Sequence, residues 1–247
     1  MSLMLLSGSM ARAQFSDYGV RLGLGPATIQ DDLGIKSPTL GLNVGGYINF
    51  EFSHSQTVLA EIFYLQTGVN LLRRGGNFED VFENENSMSI RNGHYYAWYA
   101  QVPVLAGLHF ELPVRQPGHV VGVFVGPAVS YGLFGSFSDR KVSPGVASVG
   151  DNYDVDLYGT DDERKLFNHL NRLDVSAIVG VSYEYGPLTL SLMLDHGFLA
   201  LSEGLDVLRM IDRLYSGSTE EVSVEIPNGN NHTVLLGVAY RLGSFKK

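Results

Sequence analysis

The acidic segment at residues 151–171 holds side chains whose types and spacing match part of a calcium-binding loop. Asp154 and Asp156 stand two residues apart and Gly159 follows, as in loops where alternate carboxylates ligate the ion around a sharp glycine turn. Lys165 occupies the position at which such a loop closes on a bidentate glutamate. The segment therefore offers Asp154 and Asp156 as metal ligands, with a solvated acidic loop as the alternative interpretation.

The histidines are the other side chains that could do chemistry, because acid–base catalysis needs one within reach of an acid or a nucleophile. Asp195 and His196 are adjacent, so on a strand they point to opposite faces and form no direct pair. His94 and His169 fall in predicted loops beside acidic residues, where a surface role is the simpler interpretation. The sequence also has no nucleophile elbow and no phosphate-binding loop motif. We predict a protein that is not an enzyme and needs no cofactor.

The composition excludes further classes of protein. Charged residues make up only 17% of the 247 residues, below the roughly 25% of soluble domains, whereas Gly reaches 29 and Tyr and Phe 13 each. The net charge of −9 argues against nucleic acid as a partner, since a polyanion would be repelled. The absence of cysteine excludes disulfides and thiolate chemistry.

Eight segments alternate apolar residues with small or polar ones at the period of two that a β-strand requires. In residues 120–135, valines fill most odd positions while glycine, alanine and serine fill most even ones. The third segment is ambiguous, because both of its faces are apolar apart from Glu61. The segments are 18–25, 39–52, 57–69, 96–112, 120–135, 173–185, 188–198 and 232–242.

The connections between these segments alternate between short and long, and the last three long ones have roughly 20 to 35 residues each. No apolar run approaches the length of about 18 residues that a transmembrane helix needs, so only a closed barrel could span a bilayer. We therefore predict an all-β fold, an eight-stranded antiparallel up-and-down transmembrane β-barrel with short periplasmic turns and long extracellular loops. Its expected location is the outer membrane of a Gram-negative bacterium.

Aromatic residues at outward positions near the strand ends predict two girdles at the membrane–water interfaces. The periplasmic girdle comprises Tyr18, Phe50, Phe52, Phe110, Tyr183, Tyr185 and Tyr240, and the opposite girdle comprises Tyr64, Tyr96, Trp98, Tyr131 and Phe198. The same alternation directs charged side chains into an interior too narrow for a pore. They are Arg21, Glu51, Glu61, Glu111, Asp174, Glu184, Asp195 and Arg241. We interpret them as a hydrogen-bonded network that satisfies buried charge, rather than as a proton path or a substrate site.

The first residues have the pattern of the end of a secretory signal peptide. An apolar stretch over residues 3–6 is followed by small residues and by Ala11-Arg12-Ala13, an A-x-A cleavage pattern. We therefore predict a residual signal peptide at residues 1–13 and a single barrel domain at residues 14–247.

Four segments carry a resemblance that extends over nearly the whole barrel domain. They are YLQTGVNLLRRGG, YAWYAQVPVLAGLHF, VGVFVGPAVSYGLFG and RLDVSAIVGVSYEYGPLTLSLMLDHGF. Their marks are an aromatic-x-x-x-Pro strand from Tyr99 to Pro103, the pair Gly126-Pro127, and a strand that Asp174 begins. In this order they resemble the small outer-membrane β-barrel family typified by PorT in the Bacteroidetes.

The resemblance implies a non-enzymatic envelope protein that serves assembly or protein secretion, with outer-membrane lipid and proteins of that machinery as partners. Gln101 stands where the family often has an acidic residue, and Phe245 is followed by two lysines where outer-membrane barrels commonly end on an aromatic. Two alternatives stay open. One is a surface-binding or adhesion barrel that acts through its extracellular loops. The other is a soluble exported barrel that binds an apolar ligand, which would require the apolar face to point inward.

Overall fold

The computed structural model describes residues 12–31, 34–35, 37–53, 62–84, 87–113, 118–142, 152–156, 172–199 and 230–244. The strands are β1 (Arg12–Asp31), β2 (Gly34–Ile35), β3 (Ser37–Ser53), β4 (Phe63–Asn84), β5 (Ser87–Glu111), β6 (His119–Val142), β7 (Asn152–Asp156), β8 (Leu173–Tyr185), β9 (Leu188–Gly197) and β10 (Asn230–Ser244). In the part of the chain so described, no helix is long and apolar enough to cross a membrane.

Eight of these strands close into an antiparallel barrel, as the sequence predicts. The hydrogen-bonded order runs β1, β3, β4, β5, β6, β8, β9, β10, and β10 pairs back onto β1. The short strands β2 and β7 pair with β1 and β6 outside this ring. Gly186 and Pro187 form the turn between β8 and β9, where Gly186 takes a φ of 60°, a left-handed conformation that favours glycine.

The apolar face of the sheet points away from the barrel interior. On β6, Val123, Val125 and Val129 are 40%, 56% and 48% exposed, whereas Phe124 and Ala128 between them are 8% and 1% exposed. The same alternation repeats around the barrel, because successive side chains of a strand point to opposite faces of the sheet. The barrel therefore presents a continuous aliphatic belt outside, which is the arrangement that lipid requires. A soluble barrel with an apolar interior needs the opposite arrangement, so that alternative is wrong.

The three longest strands continue far beyond the length that a membrane requires. β4, β5 and β6 contain 22, 25 and 24 residues, against the roughly 9–11 of a transmembrane strand. The second long connection, between the third and fourth predicted segments, is therefore largely a hairpin rather than a loop, because β4 and β5 stay paired up to Asn84 and Ser87. The third strand, predicted at residues 57–69, is observed at Phe63–Asn84, because pairing with β5 extends it beyond its predicted end. The hairpin needs no apolar alternation where both of its faces are outside the bilayer, so the pattern does not reveal it.

Candidate functional site

A buried ion cluster occupies the extracellular half of the barrel interior, and Arg74 is its centre. Even-numbered residues of β4 point inward, which places Arg74 in the lumen with 1% of its side chain exposed. Its guanidinium contacts Asp174 of β8 through Nη1 and Asp195 of β9 through Nη2, the latter at 2.6 Å. The side chains of Asp174 and Asp195 are 5% and 4% exposed. Two carboxylates thus share one guanidinium away from bulk water.

Neutral side chains complete this cluster. Gln101 Nε2 donates to Asp195 Oδ2 at 2.8 Å, and Asn70 Nδ2 donates to Gln101 Oε1 at 3.4 Å. The Arg74 guanidinium also lies over the ring of Tyr99, 5.7 Å from its centroid. Four strands, β4, β5, β8 and β9, are therefore joined across the lumen by one set of polar contacts.

A second cluster lies in the periplasmic half. Arg241 Nη2 contacts Glu184 Oε2 at 3.1 Å, and His109 Nε2 lies 3.0 Å from Glu184 Oε1. Arg241 Nε is 3.8 Å from Asp17 Oδ2, and Asn49 Nδ2 donates to Asp17 Oδ1 at 2.9 Å. Because these residues come from β1, β3, β5, β8 and β10, this cluster joins the seam at which the barrel closes.

A small cavity lies beside the second cluster. Its volume is about 50 Å³, and Arg21, Tyr47, Tyr64, His109 and Glu184 are among the side chains that line it. The Arg21 guanidinium lies over the Tyr47 ring at 5.5 Å. A space of this size holds water-sized molecules only, so this part of the interior has the packing of a core rather than of a channel.

Four of the eight predicted lumenal charges lie in these two clusters. Asp174 and Asp195 meet Arg74, while Glu184 and Arg241 meet each other. The other four are arranged differently. Arg21 faces Tyr47, Glu51 accepts a hydrogen bond from Ser16 Oγ at 2.8 Å, Glu111 is exposed at the end of β5, and Glu61 lies outside the described residues. Glu111 has the parity of the inward residues of β5, but at the end of the strand it is open to solvent and joins neither cluster.

Sequence reasoning left Arg74, Asp17 and His109 out of the lumenal charges. It ended the third strand at residue 69 and so placed Arg74 in a loop. The available signal was the recurrence of polar side chains at Gln66, Asn70 and Arg74, which share one face of an extended strand.

Most of the predicted interface aromatics point outward. Exposed examples are Tyr18, Phe110, Tyr131, Tyr183, Tyr185, Phe198 and Tyr240; Phe50, Tyr96 and Trp98 are partly exposed at outward positions. The side chain of Phe52 lies outside those that the structure describes.

Tyr64 is the exception, and its prediction as an interface residue is wrong. It is 4% exposed, points into the lumen and stacks on His109 with ring centroids 4.0 Å apart. The ring covers Gly107 on the neighbouring strand, where a β-carbon would come within 2.3 Å of it. Glycine at that position makes room for a large aromatic inside the barrel.

Among the residues described, neither the calcium-loop hypothesis nor an Asp195–His196 acid–base pair finds support. No group of three or more His, Cys, Asp or Glu side chains in the described ranges is arranged to hold a metal ion. Asp154 and Asp156 lie on β7, whose backbone pairs with β6, and their side chains lie outside the described set. Asp195 points inward and His196 points outward.

Comparison with known proteins gives one family. Residues 10–203 match the family model described as "Outer membrane protein beta-barrel domain". No curated protein matches the chain. Among solved structures the chain is similar to Ail, the attachment invasion locus protein of Yersinia pestis, in complex with the heparin analogue sucrose octasulfate. That match has 12% identity and a TM-score of 0.36, and it covers 93% of this chain and 100% of that one. A second Ail structure matches with 11% identity, the same coverage and a TM-score of 0.34. Similarity of this degree carries no functional information.

Proposed function

The chain belongs to the outer membrane protein beta-barrel domain family and resides in the outer membrane, and from this premise we propose a non-enzymatic accessory role in envelope assembly or protein secretion, resembling that of PorT. Outer-membrane lipid and proteins of such a machine would be its partners, and nucleic acid would not. The observation that carries the proposal is the sheet of β4, β5 and β6, which continues well past the barrel wall.

The filled interior favours a role at the surface. Among the residues that the structure describes, two buried ion clusters and a cavity of only about 50 Å³ occupy the lumen, which disfavours passage of a solute. Among the described residues the interior holds one histidine, His109, which lies 3.0 Å from Glu184 and stacks on Tyr64. Ser182 lines the same cavity, but its hydroxyl makes no hydrogen bond to His109 and so is not set up as a nucleophile. Transport and catalysis in the lumen are therefore disfavoured, and contacts outside the barrel remain.

The protruding sheet offers backbone for such contacts. β3 pairs with β4 only as far as Asn77, whereas β5 stays paired with β4 to Asn84. Within the described ranges, the outer edge of β4 from residue 78 to residue 84 thus has no neighbouring strand. The protrusion from Tyr96 to Ser87 extends about 30 Å at a rise of roughly 3.3 Å per residue. An unpaired edge of this kind can accept a strand from a partner protein.

The test removes the β4–β5 hairpin of the protrusion and keeps the barrel. Residues 78–93 are replaced by a two-residue Asn-Gly turn, which joins Asn77 to its cross-strand partner His94. A matched control carries an unrelated hairpin of the same length. Outer-membrane fractionation and a heat-dependent shift in gel migration establish that each variant is folded in the membrane.

The secreted proteins and the outer-membrane proteins of the cells are then quantified. We expect the truncated variant to reproduce the defect of a strain that lacks the protein, and the unrelated hairpin to fail to correct it. Normal secretion and normal envelope composition in both strains would contradict the accessory role. If those cells instead lost only attachment to surfaces or to other cells, the surface-binding alternative would be the function.

A further inference from the structure

Two histidines face outward next to each other at the extracellular end of the barrel. His196 of β9 and His232 of β10 are cross-strand partners, and both side chains are partly exposed. Their Nδ1 atoms are 3.0 Å apart, and the ring planes are inclined by 57° with centroids 4.4 Å apart. Each ring therefore turns its Nδ1 toward the other, at a separation that fits a hydrogen bond between them, instead of stacking face to face.

This separation suits a shared metal ion. Imidazole nitrogen binds first-row transition metals at about 2.0–2.1 Å, and two such bonds to nitrogens 3.0 Å apart enclose an angle of about 94°. An angle near 90° is that of neighbouring ligands in the tetragonal geometry of Cu²⁺ or Ni²⁺, whereas tetrahedral Zn²⁺ prefers a wider one.

The surroundings restrain the two rings. Phe198 packs against His196 in an edge-to-face arrangement, with ring centroids 5.1 Å apart, and so holds the His196 ring from the side. A strand pair also restrains both ligands, so little conformational freedom is lost when they bind an ion together.

We propose that His196 and His232 form a binding site for a divalent transition metal of the Cu²⁺ or Ni²⁺ type at the outer face of the barrel. The pair supplies two nitrogen ligands in neighbouring coordination positions, and water completes the coordination. The ion cross-links β9 and β10 near their extracellular ends. This site is independent of the protruding sheet and of the accessory role.

The test uses Cu²⁺ as the probe and the full chain in detergent micelles near neutral pH, prepared without a polyhistidine tag. Affinity is measured by titration, and the number of bound nitrogens is read from the hyperfine pattern of the electron paramagnetic resonance spectrum. The variants are H196Q and H232Q, made separately so that either one alone decides the outcome. H94Q is the matched control, because His94 is an exposed histidine near the same end of the barrel.

We expect one Cu²⁺ with two imidazole nitrogens in the native protein and in H94Q. Each of H196Q and H232Q should bind more weakly by more than about tenfold, since even the loss of a residue behind a metal ligand costs about 10–100-fold. A heat-dependent gel shift verifies the fold of every variant. Unchanged affinity in H196Q or H232Q, or an equal loss in H94Q, would overturn the site.

Discussion

Replacing Arg74 by methionine should destabilise the barrel more than any other single change to its charged residues. Arg74 is 1% exposed and stands between Asp174 and Asp195, so its removal leaves two buried carboxylates facing each other without a counter-charge. Each ion pair is worth roughly 4 kcal/mol at about 4 Å between charge centres and an effective dielectric constant of about 20, before desolvation is subtracted. Breaking a buried pair by removing one partner costs about 3–5 kcal/mol, and we expect a loss of that size in the free energy of unfolding.

The chain offers two comparisons that isolate this effect. Arg73 is the adjacent arginine on the opposite face of β4, partly exposed and 4.8 Å over the Tyr96 ring. R73M should therefore cost no more than about 1 kcal/mol, the scale of an exposed cation–π contact. The triple variant R74M/D174N/D195N removes all three charges together and should return to within about 1 kcal/mol of the native protein, because uncharged replacement of a buried ion cluster is often neutral.

Urea unfolding in detergent micelles measures these differences. The single tryptophan, Trp98, reports through its fluorescence, since it lies in the barrel wall beside Phe134 with ring centroids 6.0 Å apart. The reasoning is refuted if R74M and R73M lose the same stability. It is also refuted if the triple variant stays as unstable as R74M, because the loss would then come from packing rather than from uncompensated charge.

Three further predictions concern the packing, the outer face and the interior. G107V should destabilise by about 1–3 kcal/mol because its side chain would overlap the Tyr64 ring, and adding Y64A should restore most of the urea midpoint; no such recovery would contradict the close contact. V125R should cost about 2–4 kcal/mol in lipid vesicles, against about 0–1 for L242R, although Val125 and Leu242 are 56% and 57% exposed; equal costs would place Val125 away from the bilayer centre. Planar-bilayer recordings of the native protein should show no stepwise conductance, since the cavity measures only about 50 Å³, and discrete openings would contradict a filled interior.

The alternation of apolar and polar residues within single strands was sufficient to predict the wall of the barrel. A strand places neighbouring side chains on opposite faces whatever it packs against, so the outward valines and the inward Asp174 and Asp195 follow from position parity alone. Parity was insufficient for β4, where both faces are apolar near Tyr64. There the deciding factor was the space above Gly107, a residue about forty positions further along the chain.

The sequence by itself therefore determined the fold class, the face that meets lipid and the direction of most charged side chains, because all three depend on a period of two within single strands. Only the tertiary structure decided which charges meet. Arg74 finds Asp174 and Asp195 at separations of 100 and 121 residues, and these contacts depend on the register and the closure of eight strands. The extension of β4 and β5 past the membrane also emerged only from the tertiary structure, because backbone pairing continues there without an apolar pattern in the sequence that would predict it.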